Sequence, residues 1–297
     1  MRVFRGEDAI QKFLTMFDEW LSESVSVYLL GGSAMTARGL KDQTRDVDLA
    51  LAARSEFEHV YETLRERGFE VTSEPTKPFD DVGTTVELQH SERGLQLDLF
   101  ERQILGKVWI TDRMHDRADE FWTGKQATAY VLSDEDMFLL KTVAGGDLGS
   151  GRRRDLEDMR IFAQRGLDYD AIIYEIEQQR PFNTGATEVE HIRNRSHPLF
   201  AIETAVEHLE GLPASFTERI SEFATEFEVE YVVLTAVEDS IRDREAVEDH
   251  VQATVRTLSD NVSDHTETAI ERLIEKRILV RKADGTIRLT APGEHDY

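Results

Sequence analysis

The chain has 297 residues, enough for two domains each with its own core, and its 40% hydrophobic content excludes a disordered polymer. It contains no cysteine, which excludes disulfides, zinc–thiolate sites and cysteine nucleophiles. The net charge of −24 is spread evenly, with 23 basic and 35 acidic residues over 1–182 and 12 and 24 over 183–297.

In chain order, residues 7–23 (EDAIQKFLTMFDEWLSE) place Ile10, Phe13, Leu14, Phe17 and Leu21 at helical spacing. A strand, VSVYLL, follows, then a Gly31-Gly32-Ser33 turn leading into a short helix, SAMTARGL. DVDLALA reads as a second strand, and SEFEHVYETLRERG as an amphipathic helix capped at Gly68. Strand-like pieces FEVTS, TTVELQ and LQLDLF come next, the last two separated by a turn around HSERG. Alternation of Leu95, Leu97 and Leu99 puts Asp98 on the opposite face, with Gln96 and Phe100.

From Ser133 the pattern turns helical. SDEDMFLLKTVAGG starts on a serine cap and an acid-rich first turn, DLGSGRRR is a loop, and RDLEDMRIFAQRG and LDYDAIIYEIEQQ are further helices. Residues 181–215 hold three of the six prolines and read as a linker containing a helix at PLFAIETAVEHLEG. From about 216 the pattern is three helices and a hairpin around a D-G turn. These elements predict an α+β fold: a small mixed sheet flanked by helices (1–132), a helical extension (133–182), a linker with a helix (183–215) and a C-terminal module (216–297).

The chemistry is concentrated in VYLLGGSAMTARGLKDQTRDVDLALA, residues 27–52. Gly31, Gly32 and Ser33 can offer backbone N–H groups and a hydroxyl to a phosphate, or can simply permit close packing between a strand and a helix. The segment has neither the lysine of a P-loop nor the spacing of a nucleophile elbow or a Rossmann glycine motif. Asp46 and Asp48 lie at i and i+2 of a strand, a setting in which aspartate is depleted and a same-face pair repels. A divalent cation is the natural compensator, and Mg²⁺ favours such carboxylates together with substrate phosphates. Asp98, in a later strand, is the candidate third carboxylate.

This set resembles the nucleotidyltransferase superfamily that includes DNA polymerase beta, the CCA-adding enzymes and aminoglycoside nucleotidyltransferases. The nearer resemblance is to minimal nucleotidyltransferases and to nucleotidyltransferase toxins of abortive-infection toxin–antitoxin systems, through Thr44-Arg45-Asp46-Val47-Asp48, Lys141 and Arg154-Asp155-Leu156-Glu157-Asp158. It covers roughly residues 20–180. It implies that Gly31, Gly32 and Ser33 hold nucleotide phosphates with Arg45, Lys141, Arg154, Asp155 and Asp158 around the nucleotide. Asp46 and Asp48 would bind two Mg²⁺ ions, and Asp98 would bind one and activate the acceptor hydroxyl. The implied substrate is an NTP. The acceptor stays open among RNA, tRNA in particular, protein and small molecules, with a cognate antitoxin as an implied partner. From the residues themselves, Lys141 also reads as a snorkelling helix lysine, and Asp155 and Asp158 as salt-bridge partners of Arg152 to Arg154. The loop 145–151 reads either as a phosphate or RNA contact or as an ordinary connection.

The C-terminal module resembles a winged helix-turn-helix, with residues 266–276 as candidate recognition helix and Arg277, Arg281, Lys282 and Arg288 as a basic island at the wing. Glu267, Glu271 and Glu275 load that helix with negative charge, against DNA binding. The competing function is a regulator with a non-catalytic, nucleotide-sensing domain and a DNA-binding wing. None of the nine histidines has a metal-site spacing. High acid content with only eight lysines predicts adaptation to a high-salt cytoplasm. Molar salt would screen charge over a few ångströms, so the acidity would not forbid nucleic acid there, although at ordinary salt it would. No run approaches the roughly 18 apolar residues of a membrane span, and MRVFRGEDAIQKF has no leader-like run, so the expected compartment is the cytoplasm.

Overall fold

The computed structural model describes residues 3–73, 85–104, 107–145, 153–179, 202–203, 205–255, 258 and 261–290. The architecture is α+β: a seven-stranded mixed sheet, helices packed against it, and a C-terminal group of helices ending in a hairpin.

Short strand β1 (Phe4–Arg5) precedes helix α1 (Glu7–Asp18), whose Ile10, Phe13, Leu14 and Phe17 are buried as their spacing requires. Strand β2 (Val25–Leu30) is apolar but for Ser26 and lies in the interior of the sheet. Helix α2 (Gly31–Ala37) starts on the first glycine, so Gly31-Gly32-Ser33 is the opening turn of a helix rather than a separate turn before one. Gly31 has φ +52°, which lets the chain pass from extended strand to helix without an intervening loop. Strand β3 (Gln43–Thr44) pairs antiparallel with β1, and β4 (Val47–Leu51) pairs antiparallel with β2.

Helix α3 (Arg54–Glu66) buries Phe57, Val60 and Leu64. It ends where Gly68, at φ +87°, donates to Arg65 O and Phe69 donates to Leu64 O. Strands β5 (Glu70–Val71), β6 (Thr85–His90) and β7 (Leu95–Glu101) follow, and β7 lies parallel to β4. Burial alternates strictly along β7, with Leu95, Leu97 and Leu99 inward and Gln96, Asp98 and Phe100 on the other face.

Residues 101–132, for which the sequence patterning names no element, complete the sheet. The small pair β8 (Gln103–Ile104) and β9 (Val108–Trp109) leads to helix α4 (Asp112–Arg117), and the hairpin β10 (Asp119–Thr123) and β11 (Ala127–Val131) docks β11 parallel to β2. The sheet order is β10-β11-β2-β4-β7-β6-β5.

Helices α5 (Asp134–Gly145), α6 (Arg153–Ala163) and α7 (Tyr169–Gln178) pack together, with Met137, Phe138, Leu139, Leu140, Met159, Phe162, Ile172 and Ile176 joining the main core. Ser133 caps α5, its Oγ accepting from the Asp136 N–H. Helix α8 (Ala214–Glu238) serves two cores. Phe216, Ile220, Phe223 and Ala224 join the main one, and Val229, Val232, Val233, Leu234, Ala236 and Val237 join a second. That second core is completed by α9 (Arg244–Thr254), α10 (Val262–Glu275) and the hairpin β12 (Leu279–Arg281) and β13 (Ile287–Leu289). Most of the expected linker and the loop 146–151 lie outside the described residues. Among the described residues no helix is long and apolar enough to cross a membrane.

Candidate active site

The sheet register brings the acids together. Asp48 of β4 stands opposite Leu30 of β2 on one side and Asp98 of β7 on the other. Asp46, just before β4, completes a triad in which one oxygen from each carboxylate lies within 4.8 Å of the others. Glu87 of β6 is the register partner of Asp98 and adds a fourth, exposed acid at the end of the row.

Two members of the triad are held by hydrogen bonds. The Thr44 hydroxyl lies 3.0 Å from Asp46 Oδ1 and 3.1 Å from Asp46 O, which orients the first aspartate. Asp48 accepts a hydrogen bond from the Gly32 N–H. The two glycines are there for space: a Cβ at Gly31 would overlap Asp48 Oδ2, and one at Gly32 would sit 2.6 Å from Thr44 Oγ1. Ser33 is fully buried, and its hydroxyl donates to Leu30 O at 2.7 Å and accepts from the Asp48 N–H at 3.3 Å. Its side chain therefore ties α2 to β4 and does not present an open hydroxyl to a phosphate.

Electrostatically the triad is under-compensated. Desolvation, then Asp46 and Asp98, holds Asp48 well above the usual carboxylate range, against the smaller opposing pulls of Lys141 and the Gly32 N–H. Burial, Asp46 and Glu87 push Asp98 up to about 7. Asp98 Oδ1 is buried with no hydrogen-bond partner. A buried carboxylate oxygen without a donor, in a set of three converging hard oxygen ligands, is the donor chemistry of a site for Mg²⁺ or Mn²⁺. The triad can hold a metal ion.

Beside it lies a cluster of two lysines and two aspartates. Lys141 Nζ is 2.9 Å from Asp155 Oδ1 and 2.9 Å from Asp158 Oδ2, and it is near enough to Asp48 to pull that carboxyl down. Burial works against the Lys141 ammonium, but Asp158 and Asp155 outweigh it and raise its pKa. Asp158 is buried, and its other partner is Lys41, at 2.6 Å to Oδ1. The aspartates of α6 thus pair with lysines of α5 and of the α2–β3 segment. Arg45 and Arg154 are both exposed, and neither is drawn into this cluster.

Sequence reading missed Lys41, Glu87 and the orienting role of Thr44. Glu87 was recoverable, because a four-residue turn at 91–94 fixes the hairpin register and places 87 opposite 98. Lys41 carried no signal beyond being one of eight lysines.

The basic island lies elsewhere, at the β12–β13 hairpin. Arg281 is held by Glu267 at 2.6 Å and Glu271 at 2.9 Å, Arg288 Nη1 donates to Leu289 O, and Arg277 and Lys282 are exposed. The acids of the supposed recognition helix therefore neutralise one of the four cations.

Fold and site together define an α+β protein with a metal-competent carboxylate triad at the edge of α2 and a lysine–aspartate cluster beside it. No family model matches the chain, and no curated protein matches it. Among solved structures, it is similar to the crystal structure of JHP933 from Helicobacter pylori at 14% identity and a TM-score of 0.34, covering 78% of this chain and 97% of that one. A provisionally assigned nucleotidyltransferase from H. pylori is similar at 10% identity and a TM-score of 0.27, covering 72% of this chain and 96% of that one. Likenesses of that size carry no weight for function, which rests on the residues above.

Proposed function

We propose that this chain is a divalent-cation-dependent nucleotidyltransferase. It moves a nucleoside monophosphate from an NTP to a hydroxyl on an acceptor, and pyrophosphate leaves. The observation that carries this reading is the convergence of Asp46, Asp48 and Asp98 beside Gly31-Gly32, with their charge unbalanced and one buried oxygen unpartnered.

In this reading residues 1–132 carry the carboxylates, and residues 133–182 bring Lys141, Asp155 and Asp158 to the phosphates. Asp46, Asp48 and Asp98 hold two Mg²⁺ ions, which when bound neutralise the carboxylates and stabilise charge on the phosphate oxygens. Asp98 is the member suited to take the proton of the acceptor hydroxyl, because its Oδ1 has no hydrogen-bond partner within the protein. Lys141 supplies a cation where the triphosphate would lie, and the Gly31-Gly32 approach keeps backbone rather than side chain beside it. The acceptor is RNA, protein or a small molecule, and the resemblance to toxins places tRNA first and a cognate antitoxin among the partners.

The test is Asp46→Ala with Asp48→Ala, assayed beside wild type with each of the four labelled NTPs against total RNA and total protein in Mg²⁺. Label transferred by wild type and lost in the variant supports the reading. Wild type that transfers nothing with any nucleotide to either pool, and forms no labelled small-molecule product in whole-cell extract, removes it.

A further inference from the structure

We infer that Lys41 is a positioning residue for the nucleotide phosphates, acting through Asp158 on Lys141; this rests on the transferase reading of the site. Two of the chain's eight lysines converge on one buried carboxylate. Lys41 Nζ lies 2.6 Å from Asp158 Oδ1 and 2.8 Å from Oδ2, and Lys141 Nζ lies 2.9 Å from Oδ2. Both oxygens are thus engaged by Lys41, and Lys141 shares only one of them.

The consequence follows from donor arithmetic. An ammonium has three N–H donors and no acceptor. Lys141 spends one on Asp155 and one on Asp158, which leaves one for a phosphate oxygen. That division holds while Lys41 satisfies Asp158 Oδ1. Without Lys41, a carboxylate only 2% exposed loses two of its three lysine contacts, and among the described residues Lys141 is the cation left on it. The Lys141 ammonium is then drawn into a bidentate grip on Asp158 and away from the triad.

Lys41 is well placed to act as a strut. The N–H groups of Leu40 and Lys41 both donate to Met35 O, so the main chain at Lys41 is fixed to the end of α2. Its side chain crosses to α6, and the segment after it runs directly into Thr44 and Asp46. The same residue therefore sets Lys141 against the helix that opens with Gly31-Gly32.

The experiment compares wild type, Lys41→Met, Lys41→Arg, Asp158→Asn and the Lys41→Met/Asp158→Asn double variant. Inorganic triphosphate binding is measured calorimetrically with Ca²⁺ as the cation, and NTP transfer is measured at steady state in Mg²⁺. Lys41→Met should weaken triphosphate binding about tenfold, the size of one charge-assisted hydrogen bond. It should raise the NTP KM by a like factor with kcat within about twofold, and Lys41→Arg should restore most of the loss. In the Asp158→Asn background Lys41→Met should cost less than about twofold, because the pair acts as a unit. Unchanged triphosphate binding in Lys41→Met, an equal loss of kcat, or full additivity with Asp158→Asn overturns the inference. Wild type that binds triphosphate and loses that binding on Lys41→Met, yet transfers no nucleotide, keeps the positioning role and overturns the transferase reading alone. Wild type that binds no triphosphate overturns both.

Discussion

Asp136 and Glu175 are less exposed than Asp48 and Asp98, yet the donors go to the first pair, and Asp98 keeps a buried oxygen without one. Around Glu175, 1% exposed, the donors are complete: Arg113 gives it two hydrogen bonds, and Arg117, the Thr111 hydroxyl and the Gln179 amide give one each. Arg117 also grips Asp136 at 2.6 and 3.1 Å, with Ser133 Oγ on the same carboxylate. Burial tends to raise the Glu175 pKa, but Arg113 and Arg117 overcome it and hold the carboxyl below its usual value, whereas at Asp136 burial outweighs Arg117 and Ser133 and the carboxyl stays above its usual value. At Asp48 and Asp98 the same burial is joined by neighbouring acids, and both pKa values rise. The first cluster is an internally neutral joint between α4, α5 and α7. The second is a deficit that a cation from outside can fill.

The largest break in the comparison is the loss of triad charge. Asp48→Asn should cut nucleotide transfer by about a thousandfold or more, as expected when a metal ligand and its charge are removed. Melting in EDTA should move the other way, to a higher temperature than wild type, because a repelling buried carboxylate has gone. A variant that loses both activity and metal-free stability would place Asp48 with the structural acids.

Glu175→Gln should do the reverse. It leaves Arg113 and Arg117 facing a neutral amide, and a broken buried pair costs about 3–5 kcal/mol when fully dry. Arg113 and Arg117 keep access to water, at 36% and 30% side-chain exposure, so we expect about 2–4 kcal/mol by urea denaturation. Metal affinity should hold at the wild-type value.

Gly31→Ala tests the space beneath Asp48. A left-handed φ of +52° and a Cβ overlapping Asp48 Oδ2 should together cost about 1–3 kcal/mol and weaken divalent-cation binding. Gly39, also at positive φ but with open space around it, is the control: alanine there should leave the metal site intact.

The pH dependence has a definite sign. Asp98 is raised from 3.8 to about 7, so the folded protein keeps a proton that the unfolded chain has already lost. Between about pH 4 and pH 7 the metal-free fold therefore loses stability as pH rises, with no further change from this group above that window. Asp98→Asn cannot make this loss, so its stability advantage over wild type in EDTA should open across that window. Divalent cation should stabilise wild type more at pH 8 than at pH 5. The gain is about 2.7 kcal/mol at a hundred times Kd.

How much of this was legible follows from what each signal measures. Hydrophobic period and glycine caps gave α1, β2, β4, α3 and β7 to within a few residues, since those elements bury a regular face. Between 101 and 132 the two-residue strands and the six-residue helix leave no period to read, whereas β10 and β11 are five residues each and β11 alternates in burial. Asp46, Asp48 and Asp98 stood out because carboxylates in apolar strands are locally unfavourable, a cost visible without coordinates. Lys41 and the second role of Asp158 were invisible, because a pairing across 117 residues is set by tertiary packing alone. Ser33 misled for a related reason: a serine after two glycines looks the same whether its hydroxyl faces a ligand or, as here, the carbonyl of Leu30.

The smallest effect belongs to the C-terminal hairpin. Arg281 makes ion pairs with Glu267 and Glu271, all three with exposed or partly exposed side chains. Such pairs contribute about 0–1 kcal/mol, so Arg281→Ala should shift the urea midpoint by an amount near the error of the measurement. Because Arg281 lies in the basic island, the same variant also asks whether that island has a nucleic-acid role. Against a binding role, the two glutamates already satisfy the guanidinium, and a phosphate would have to displace them while meeting their negative charge. Arg281→Ala is therefore expected to leave DNA retention on a filter unchanged at both low and high salt. A loss of retention that disappears at high salt would mean that the hairpin trades its internal ion pairs for phosphates. It would then belong, like the triad, with the parts of the molecule whose charge is completed from outside.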